Sequence, residues 1–219
     1  MSNLISPVRN VPLRESISRT NMQYRGVPRE YVEANLSDFK LDPQLEKFFH
    51  TYLTNIEVMY EDNVSIVMYG KNGNGKTWLS SLIVKEGYIY RFKTFRVTLQ
   101  NFIDMHFRKS EPHIESKMRE IEDADFLVID EVGKETFAKN QFNIIVLEEL
   151  MRKRDTLGRP TIICTNLPLV GDGGLYSQYG NSVKSLIEGN FVPLEFNDVD
   201  NRRNVTKRKR GIQMLMGES

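Results

Sequence analysis

Short apolar runs alternate with longer amphipathic segments along most of this 219-residue chain. The apolar runs are rich in Val, Ile, Leu and Phe, which is typical of strands buried on both faces of a sheet. They lie at residues 64–69, 93–97, 126–130, 161–164 and 191–196. The other segments carry apolar residues at helical spacing and lie at residues 43–60, 76–86, 99–109, 114–123, 141–155 and 180–188. Strands that alternate with helices predict an α/β fold, with a parallel five-stranded sheet flanked by helices.

Local signals divide the chain into three parts. Asp42 can cap the first predicted helix, and Pro43 suits the first helical position. Residues 1–26 are polar with little periodicity, so we expect an extended or partly disordered N-terminal arm. Residues 27–198 are expected to form one domain, and residues 199–219 form a basic C-terminal tail.

Composition narrows the class of protein without indicating a partner. The chain has 40% hydrophobic residues, and its 30 Lys and Arg against 29 Asp and Glu leave a net charge of +1. Cys164 is the single cysteine and lies in an apolar run, so we expect a core thiol in a reducing compartment. No run reaches transmembrane length, and the start of the chain lacks the apolar core of a signal peptide. We therefore expect a cytoplasmic protein with no membrane partner.

The stretch from Gly70 to Thr77 matches the phosphate-binding pattern G-x-x-x-x-G-K-[ST] at every fixed position. A predicted strand precedes it and a predicted helix follows. Glycines let backbone N–H groups close around a phosphate, Lys76 can reach the β- and γ-phosphates, and the Thr77 hydroxyl can ligate Mg²⁺. A glycine-rich turn that binds nothing is the alternative, and the flanking elements and a second motif argue against it. The predicted ATP-binding residues are Gly70, Asn72, Gly73, Asn74, Gly75, Lys76, Thr77 and Trp78.

The second motif is the sequence DFLVIDE at residues 125–131, in which an apolar run ends in two carboxylates. This pattern is typical of a Walker B strand that ends at the carboxyl edge of a parallel sheet. Asp130 would hold Mg²⁺, and Glu131 would orient and deprotonate the attacking water. Alone, such a pair is more often a turn at a strand end, but after a P-loop the catalytic interpretation is favoured.

Asn166 follows the predicted strand at 161–164 and allows two interpretations. In a doubly wound sheet it would lie between the P-loop and the Walker B strand, where it could hold the attacking water or contact the γ-phosphate. Asn and Pro168 also favour an ordinary turn after a strand. Spacing alone leaves both open.

The order of these motifs resembles that of AAA+ ATPases, with Asn166 in the place of the sensor-1 residue. More narrowly, the chain is similar to the bacterial replicative-helicase loaders of the DnaC and DnaI type and to the IstB transposition ATPases. The similarity spans residues 27–197 and includes stretches at 27–31, 35–39 and 152–160. It implies a P-loop AAA+ core, and no separate lid domain is expected.

The resemblance implies an ATP-dependent loader that places a hexameric replicative helicase on single-stranded DNA during replication initiation. It also implies hydrolysis of ATP to ADP and phosphate with Mg²⁺, and self-association into an ATP-dependent oligomer. One alternative is an IstB-like transposition helper with a transposase as its partner. Another is a nucleotide-dependent module that modulates a host loader or helicase without efficient turnover. The N-terminal arm is a possible helicase-binding peptide, because the family's helicase contact precedes the ATPase core.

One departure from the family concerns the last helix, which in the family carries an arginine finger. Here residues 181–187 read NSVKSLI and contain no arginine. We therefore expect weak intrinsic ATPase activity, with Lys184 as the first candidate for a trans-acting catalytic group. Arg202 and Arg203 are the second choice.

Basic residues alternate with aromatic residues in the second predicted strand and in the helix that follows it. The family resemblance implies single-stranded DNA contacts in this region. Basic side chains would follow phosphates, and an exposed aromatic side chain could stack on a base. The other interpretation is that the aromatic residues are core and the charges are solvated. A basic cluster at residues 202–210 is either a solvated tail or a DNA or helicase contact. The candidate DNA-binding residues are Lys93, Arg96, Arg108 and Lys109.

Overall fold

The computed structural model of the protein describes residues 17–38, 41–135 and 141–196. Its centre is a five-stranded sheet with the strand order β2-β3-β4-β1-β5, in which every neighbouring pair is parallel. The strands are β1 (Ser65–Gly70), β2 (Thr94–Thr98), β3 (Phe126–Val132), β4 (Thr161–Thr165) and β5 (Phe191–Phe196). The predicted parallel α/β sheet is confirmed. The expectation that no separate lid domain exists concerns residues after Phe196, which lie outside the described part of the chain.

Eight α-helices surround or precede the sheet in the described residues. They are α1 (Arg19–Tyr24), α2 (Pro43–Thr54), α3 (Ile56–Glu61), α4 (Lys76–Ile89), α5 (Leu99–Phe107), α6 (Pro112–Glu122), α7 (Phe142–Thr156) and α8 (Leu175–Asn190). Short 3₁₀ turns lie at Arg29–Tyr31 and Leu36–Asp38. None of these helices is long and apolar enough to cross a membrane.

The core has two layers because successive strand residues point to opposite faces of the sheet. One face carries Leu127 and Ile129 and packs against α5, α7 and α8. The other face carries Phe126 and Val128 and packs against α1, α2 and α4. Both faces of β3 are therefore covered, which explains why its sequence is continuously apolar before Asp130.

Two predicted helices differ from the observed ones. The segment 43–60 divides at Asn55, which leaves the helical conformation with a φ of −117° while its side-chain amide and its backbone N–H both donate to the Thr51 carbonyl. The last helix, α8, begins before the predicted start at residue 180, and Gly180 has a φ of 81° and marks a kink within it. The sequence indicates a helix start at this glycine because the helical periodicity is interrupted at the kink.

The expectation of an extended arm is wrong for its last part. Arg19–Tyr24 form helix α1, and the Ser18 hydroxyl accepts a hydrogen bond from the Asn21 N–H. Met22 in this helix is fully buried. A helix of six residues with one buried position is too short to show periodicity in the sequence. Residues 1–16 lie outside the described part, and the division at residue 26 stays a prediction.

Candidate nucleotide-binding site

The P-loop joins the carboxyl end of β1 to the first turn of α4. Gly70, Gly73 and Gly75 have φ values of 121°, 89° and 89°, which side-chain-bearing residues rarely adopt. At Gly70 a Cβ would lie 2.4 Å from the Phe196 carbonyl oxygen, so β5 leaves no space for a side chain. A loop of this glycine-dependent backbone before a helix start is typical of phosphate-binding loops, whose N–H groups surround an anion.

Lys76 lies within this loop and is 7% exposed. Its ammonium donates to the carbonyls of Gly70 and Lys71, both at 2.7 Å. The cation is thus held against the concave backbone of the loop. This set of donors, an ammonium with loop N–H groups at a helix start, fits a polyphosphate.

The other predicted P-loop residues divide by exposure. Asn72 is exposed, whereas Asn74 is buried and its side chain donates to the Phe196 carbonyl at 2.7 Å. Trp78 is a member of the core beneath α4. The predicted nucleotide contacts of Asn74 and Trp78 therefore depend on their backbone N–H groups, since their side chains are used elsewhere. Thr77 is half-buried in the first turn of α4, the position that its predicted role at Mg²⁺ requires.

Asp130 and Glu131 end the apolar run of β3. Asp130 is 3% exposed, and its Oδ1 accepts the Glu131 N–H at 2.7 Å. Glu131 has a φ of 59°, and the pairing of β3 with β4 shifts between Ile129 and Val132. This irregularity buries Asp130 while leaving the Glu131 side chain 45% exposed, where it pairs with Lys134 at 2.8 Å. A left-handed backbone at a residue other than glycine is strained, and such residues concentrate at functional sites.

Arg96 on β2 also belongs to this site. Its Nε and Nη2 donate to Asp130 Oδ2 at 3.0 and 2.6 Å, and its side chain is 12% exposed. The Arg96 guanidinium is thus directed at Asp130, and the predicted contact of Arg96 with DNA stays a prediction. The sequence separates Arg96 from Asp130 by 34 residues, and only its position on the same strand face as Val128 could have indicated the contact.

Asn166 directly follows β4, which lies between β1 and β3 in the sheet. The Thr165 hydroxyl before it donates to the Val132 carbonyl at 2.7 Å and fixes the end of β4 to β3. Asn166 therefore lies at the carboxyl edge between the P-loop strand and the Walker B strand. This is the neighbourhood that the sensor interpretation requires.

A family model described as IstB-like ATP binding protein matches residues 22–177. The chain belongs to this IstB-like family. Family membership implies nucleotide binding, in agreement with the P-loop geometry. The match begins at Met22 within α1, so the family similarity starts earlier than residue 27.

Individual relatives of this IstB-like protein are replication proteins. The replicative helicase loader DnaC of Escherichia coli K12 is 27% identical over 111 residues, which are 49% of this chain and 44% of DnaC. DnaC of Shigella flexneri matches to the same extent. The chain thus matches less than half the length of these relatives.

Solved structures show the same AAA+ fold. A crystal structure of the DnaC helicase loader superposes with a TM-score of 0.65 at 19% identity, covering 77% of this chain and 99% of that one. For a DnaI crystal structure the TM-score is 0.59 at 19% identity, with 77% and 93% covered. AMPPCP-bound DnaA from Aquifex aeolicus gives 0.62 at 16% identity, with 85% and 56% covered. The predicted AAA+ core of this IstB-like protein is therefore confirmed.

The remaining catalytic candidates of the IstB-like protein are Lys184, Arg202 and Arg203. Lys184 on α8 is 44% exposed, with its Nζ 3.9 Å from Glu188 and 5.9 Å from the Tyr176 ring centre. Its predicted action in trans on a neighbouring subunit stays a prediction. Arg202 and Arg203 lie outside the described residues. Phe39, in the stretch 35–39 that is similar to the family, also lies outside them.

The three other candidate DNA-binding residues do not form one cluster by their position in the fold. Lys93 precedes β2 and is exposed at the amino edge of the sheet, opposite the P-loop. Arg108 and Lys109 follow α5, and both are exposed. Arg108 pairs with Glu111 at 2.9 Å. Next to them Phe107 is 66% exposed, so an aromatic face accompanies two cations at the end of α5.

Proposed function

We propose that this IstB-like protein is an ATP-hydrolysing AAA+ loader that places a hexameric replicative helicase on single-stranded DNA during replication initiation. The observation that carries this proposal is the sequence match to the replicative helicase loader DnaC over 111 residues. The geometry of the site supports the ATPase part of the proposal independently of that match.

In this proposal the chain's own residues divide the work on ATP. Backbone N–H groups of the P-loop and the Lys76 ammonium bind the β- and γ-phosphates, exchanging the carbonyl contacts that Lys76 makes here. Thr77 and Asp130 would hold Mg²⁺, which when bound neutralises charge on the phosphates. Glu131 leaves Lys134, orients the attacking water and accepts its proton. Asn166 helps to hold that water.

The proposal also assigns roles outside the nucleotide pocket. Bound ATP would order an oligomer, in which Lys184 of one subunit approaches the γ-phosphate of the next. Arg108, Lys109 and the exposed ring of Phe107 would bind single-stranded DNA by phosphate contacts and base stacking. ATP binding would hold DNA and helicase together, and hydrolysis would release them.

A transposition helper ATPase is the second candidate, and the IstB-like family model favours it. It would use the same nucleotide chemistry with a transposase in place of the helicase. A third candidate is a nucleotide-dependent module that modulates a host loader or helicase without efficient turnover. The absence of arginine from α8, residues 175–190, favours this third candidate.

A loading assay separates the three candidates. The purified protein, a cognate hexameric helicase and single-stranded DNA coated with its binding protein are mixed with ATP, and helicase retained on DNA is measured. We expect retention that requires ATP and is lost with Lys76→Ala. Binding to a transposase instead of the helicase would favour the helper. Inhibition of a host loader without ATP turnover would favour the module.

A further inference from the structure

The buried carboxylate of Asp130 is oriented by groups on both of its oxygens. Two N–H groups of Arg96 converge on Oδ2, and the backbone N–H of Glu131 reaches Oδ1. The side chains of Arg96 and Asp130 are 12% and 4% exposed, so water competes little for these contacts. The Oδ1 atom retains a lone pair, whereas Oδ2 is occupied by the guanidinium. Arg96 therefore determines which carboxylate oxygen can face a metal ion or its water.

The same arginine is bonded to the chain ahead of the sheet. Its Nη1 donates to the Gly26 carbonyl at 3.0 Å, and its backbone N–H donates to the Arg25 carbonyl at 2.8 Å. Gly26 has a φ of 82°, and a Cβ there would lie 1.9 Å from the Arg96 carbonyl oxygen. Only glycine permits this approach of the backbone to the edge strand β2.

Residues 18–26, which we call the docked segment, are held against the domain by further contacts. Met22 is fully buried. The Arg25 guanidinium lies 4.5 Å from the centre of the Tyr88 ring, and the Lys117 ammonium lies 3.3 Å from that of Tyr24. Such cation–aromatic contacts stabilise partly buried positions. The position of the Gly26 carbonyl is thus fixed by the docked segment as a whole.

We infer that Arg96 is a positioning residue for Asp130, through which docking of residues 18–26 is coupled to magnesium-dependent nucleotide binding. The inference rests on the proposed binding of ATP with Mg²⁺. Groups that orient a metal ligand typically change metal affinity 10- to 100-fold. Coupling between two binding events is reciprocal, so bound nucleotide with Mg²⁺ stabilises the docked segment as much as docking stabilises the bound nucleotide.

The first test compares Arg96→Lys with Arg119→Lys, whose arginine is 72% exposed and pairs with Glu115 on α6. A fluorescent ATP analogue is titrated with Mg²⁺ and, separately, with EDTA. A lysine cannot reproduce the two-pronged contact of a guanidinium. We expect Arg96→Lys to lose affinity roughly 10-fold or more with Mg²⁺ and to keep it in EDTA. Arg119→Lys should match the wild type in both titrations.

The second test follows the docked segment by hydrogen–deuterium exchange in the full chain. Nucleotide with Mg²⁺ should increase protection of the amides in residues 18–26 of the wild type, and Arg96→Lys should lose this response. Gly26→Ala should undock the segment and lower magnesium-dependent affinity although Arg96 is retained.

The outcomes separate this inference from the proposed function. A wild-type protein that binds no nucleotide would contradict the proposed function itself. Magnesium-enhanced binding that Arg96→Lys leaves unchanged would overturn the positioning role. Protection of residues 18–26 that does not respond to nucleotide in the wild type would overturn the coupling, even if Gly26→Ala fails to fold.

Discussion

Glu131 combines a strained backbone with an accessible carboxylate beside a buried one. Its φ is 59°, its side chain is 45% exposed, and Lys134 is its partner in an ion pair. Glu131 can therefore move toward a substrate without disturbing the Asp130 contacts to Arg96.

Glu131→Gln should retain ATP binding and slow hydrolysis about 10²-fold or more, because the amide cannot accept the proton of the attacking water. Phosphate release and binding of a fluorescent ATP analogue are measured in parallel. Glu115→Gln, on the exposed face of α6, serves as the control and should hydrolyse ATP normally. Equal turnover of Glu131→Gln and wild type would mean that Glu131 is only a strand-end carboxylate.

Arg154 is fully buried on α7 and has no carboxylate contact among its hydrogen bonds to the described residues. Its guanidinium instead donates to the Ala124 and Pro160 carbonyls at 2.8 Å and to the Thr161 hydroxyl at 2.9 Å. Burial lowers the pKa of Arg154 to about 9. The side chain joins the residues before β3 to the start of β4, so it fixes the strand that carries Asp130 and the strand that Asn166 follows.

Arg154→Lys should lower the free energy of unfolding by roughly 3 kcal/mol, because one ammonium leaves several buried carbonyls unsatisfied. Urea unfolding measures the change. Arg152→Lys is the matched control, since Arg152 lies two residues away, is 54% exposed and pairs with Glu148 within the same helix. It should change stability by no more than about 0.5 kcal/mol. Equal effects of the two variants would contradict the structural role of Arg154.

At the scale of the elements, the sheet and the phosphate loop were predictable because their signals are local. The strand at 126–130 is observed at Phe126–Val132, and the loop from Gly70 is observed with its three glycines in the predicted turn. Each of these features depends on residues that are close in sequence or on a fixed motif.

Contacts between distant segments were not predictable from the sequence. Arg96 alternates with apolar residues on β2, and its partner is defined only when β3 is paired beside it. Helix α1 carries one buried residue and is stabilised by tertiary contacts rather than by its own periodicity. The sequence identified the residues of the motif, whereas the orientation of Asp130 depends on this packing.

The end of α5 should contribute to single-stranded DNA binding. The double substitution Arg108→Gln with Lys109→Gln removes two cations and should weaken DNA binding. The slope of log affinity against log salt concentration should become less steep by about 0.7 for each phosphate that these cations neutralise in the wild type. Phe107→Ala should weaken binding with little change in slope, because stacking releases no counterion. Fluorescence anisotropy with ATP at several salt concentrations measures both. Removal of two other exposed cations, through Lys47→Gln with Arg119→Gln, provides the control.

At the scale of the whole molecule, the docked segment limits how the N-terminal arm can be tested. A deletion through residue 22 would remove the buried side chain of Met22 and the contacts of α1. A deletion of residues 1–16 spares both. We expect this shorter deletion to weaken co-elution with the helicase and to keep ATP affinity. Full retention of co-elution would assign the helicase contact to the remaining chain: residues 17–26, the domain or residues 199–219.

The composite site predicted for the assembled protein depends on a cation from a neighbouring subunit. A trans-acting arginine is worth roughly 10³ to 10⁵ in rate in related NTPases. The exposed Lys184 ammonium is a point charge without the fork of a guanidinium, so intrinsic hydrolysis should be slow.

Lys184→Ala and Lys76→Ala should each be nearly inactive, because each lacks a different half of the site. Mixing these two variants should restore part of the ATPase rate, measured by phosphate release. Mixing Lys76→Ala with Glu131→Gln is the control and should restore none, because both substitutions alter the same half of the site. A normal rate for Lys184→Ala alone, without recovery in the mixture, would exclude Lys184 as the trans-acting group. Rapid hydrolysis by a strictly monomeric protein would exclude a site shared between subunits.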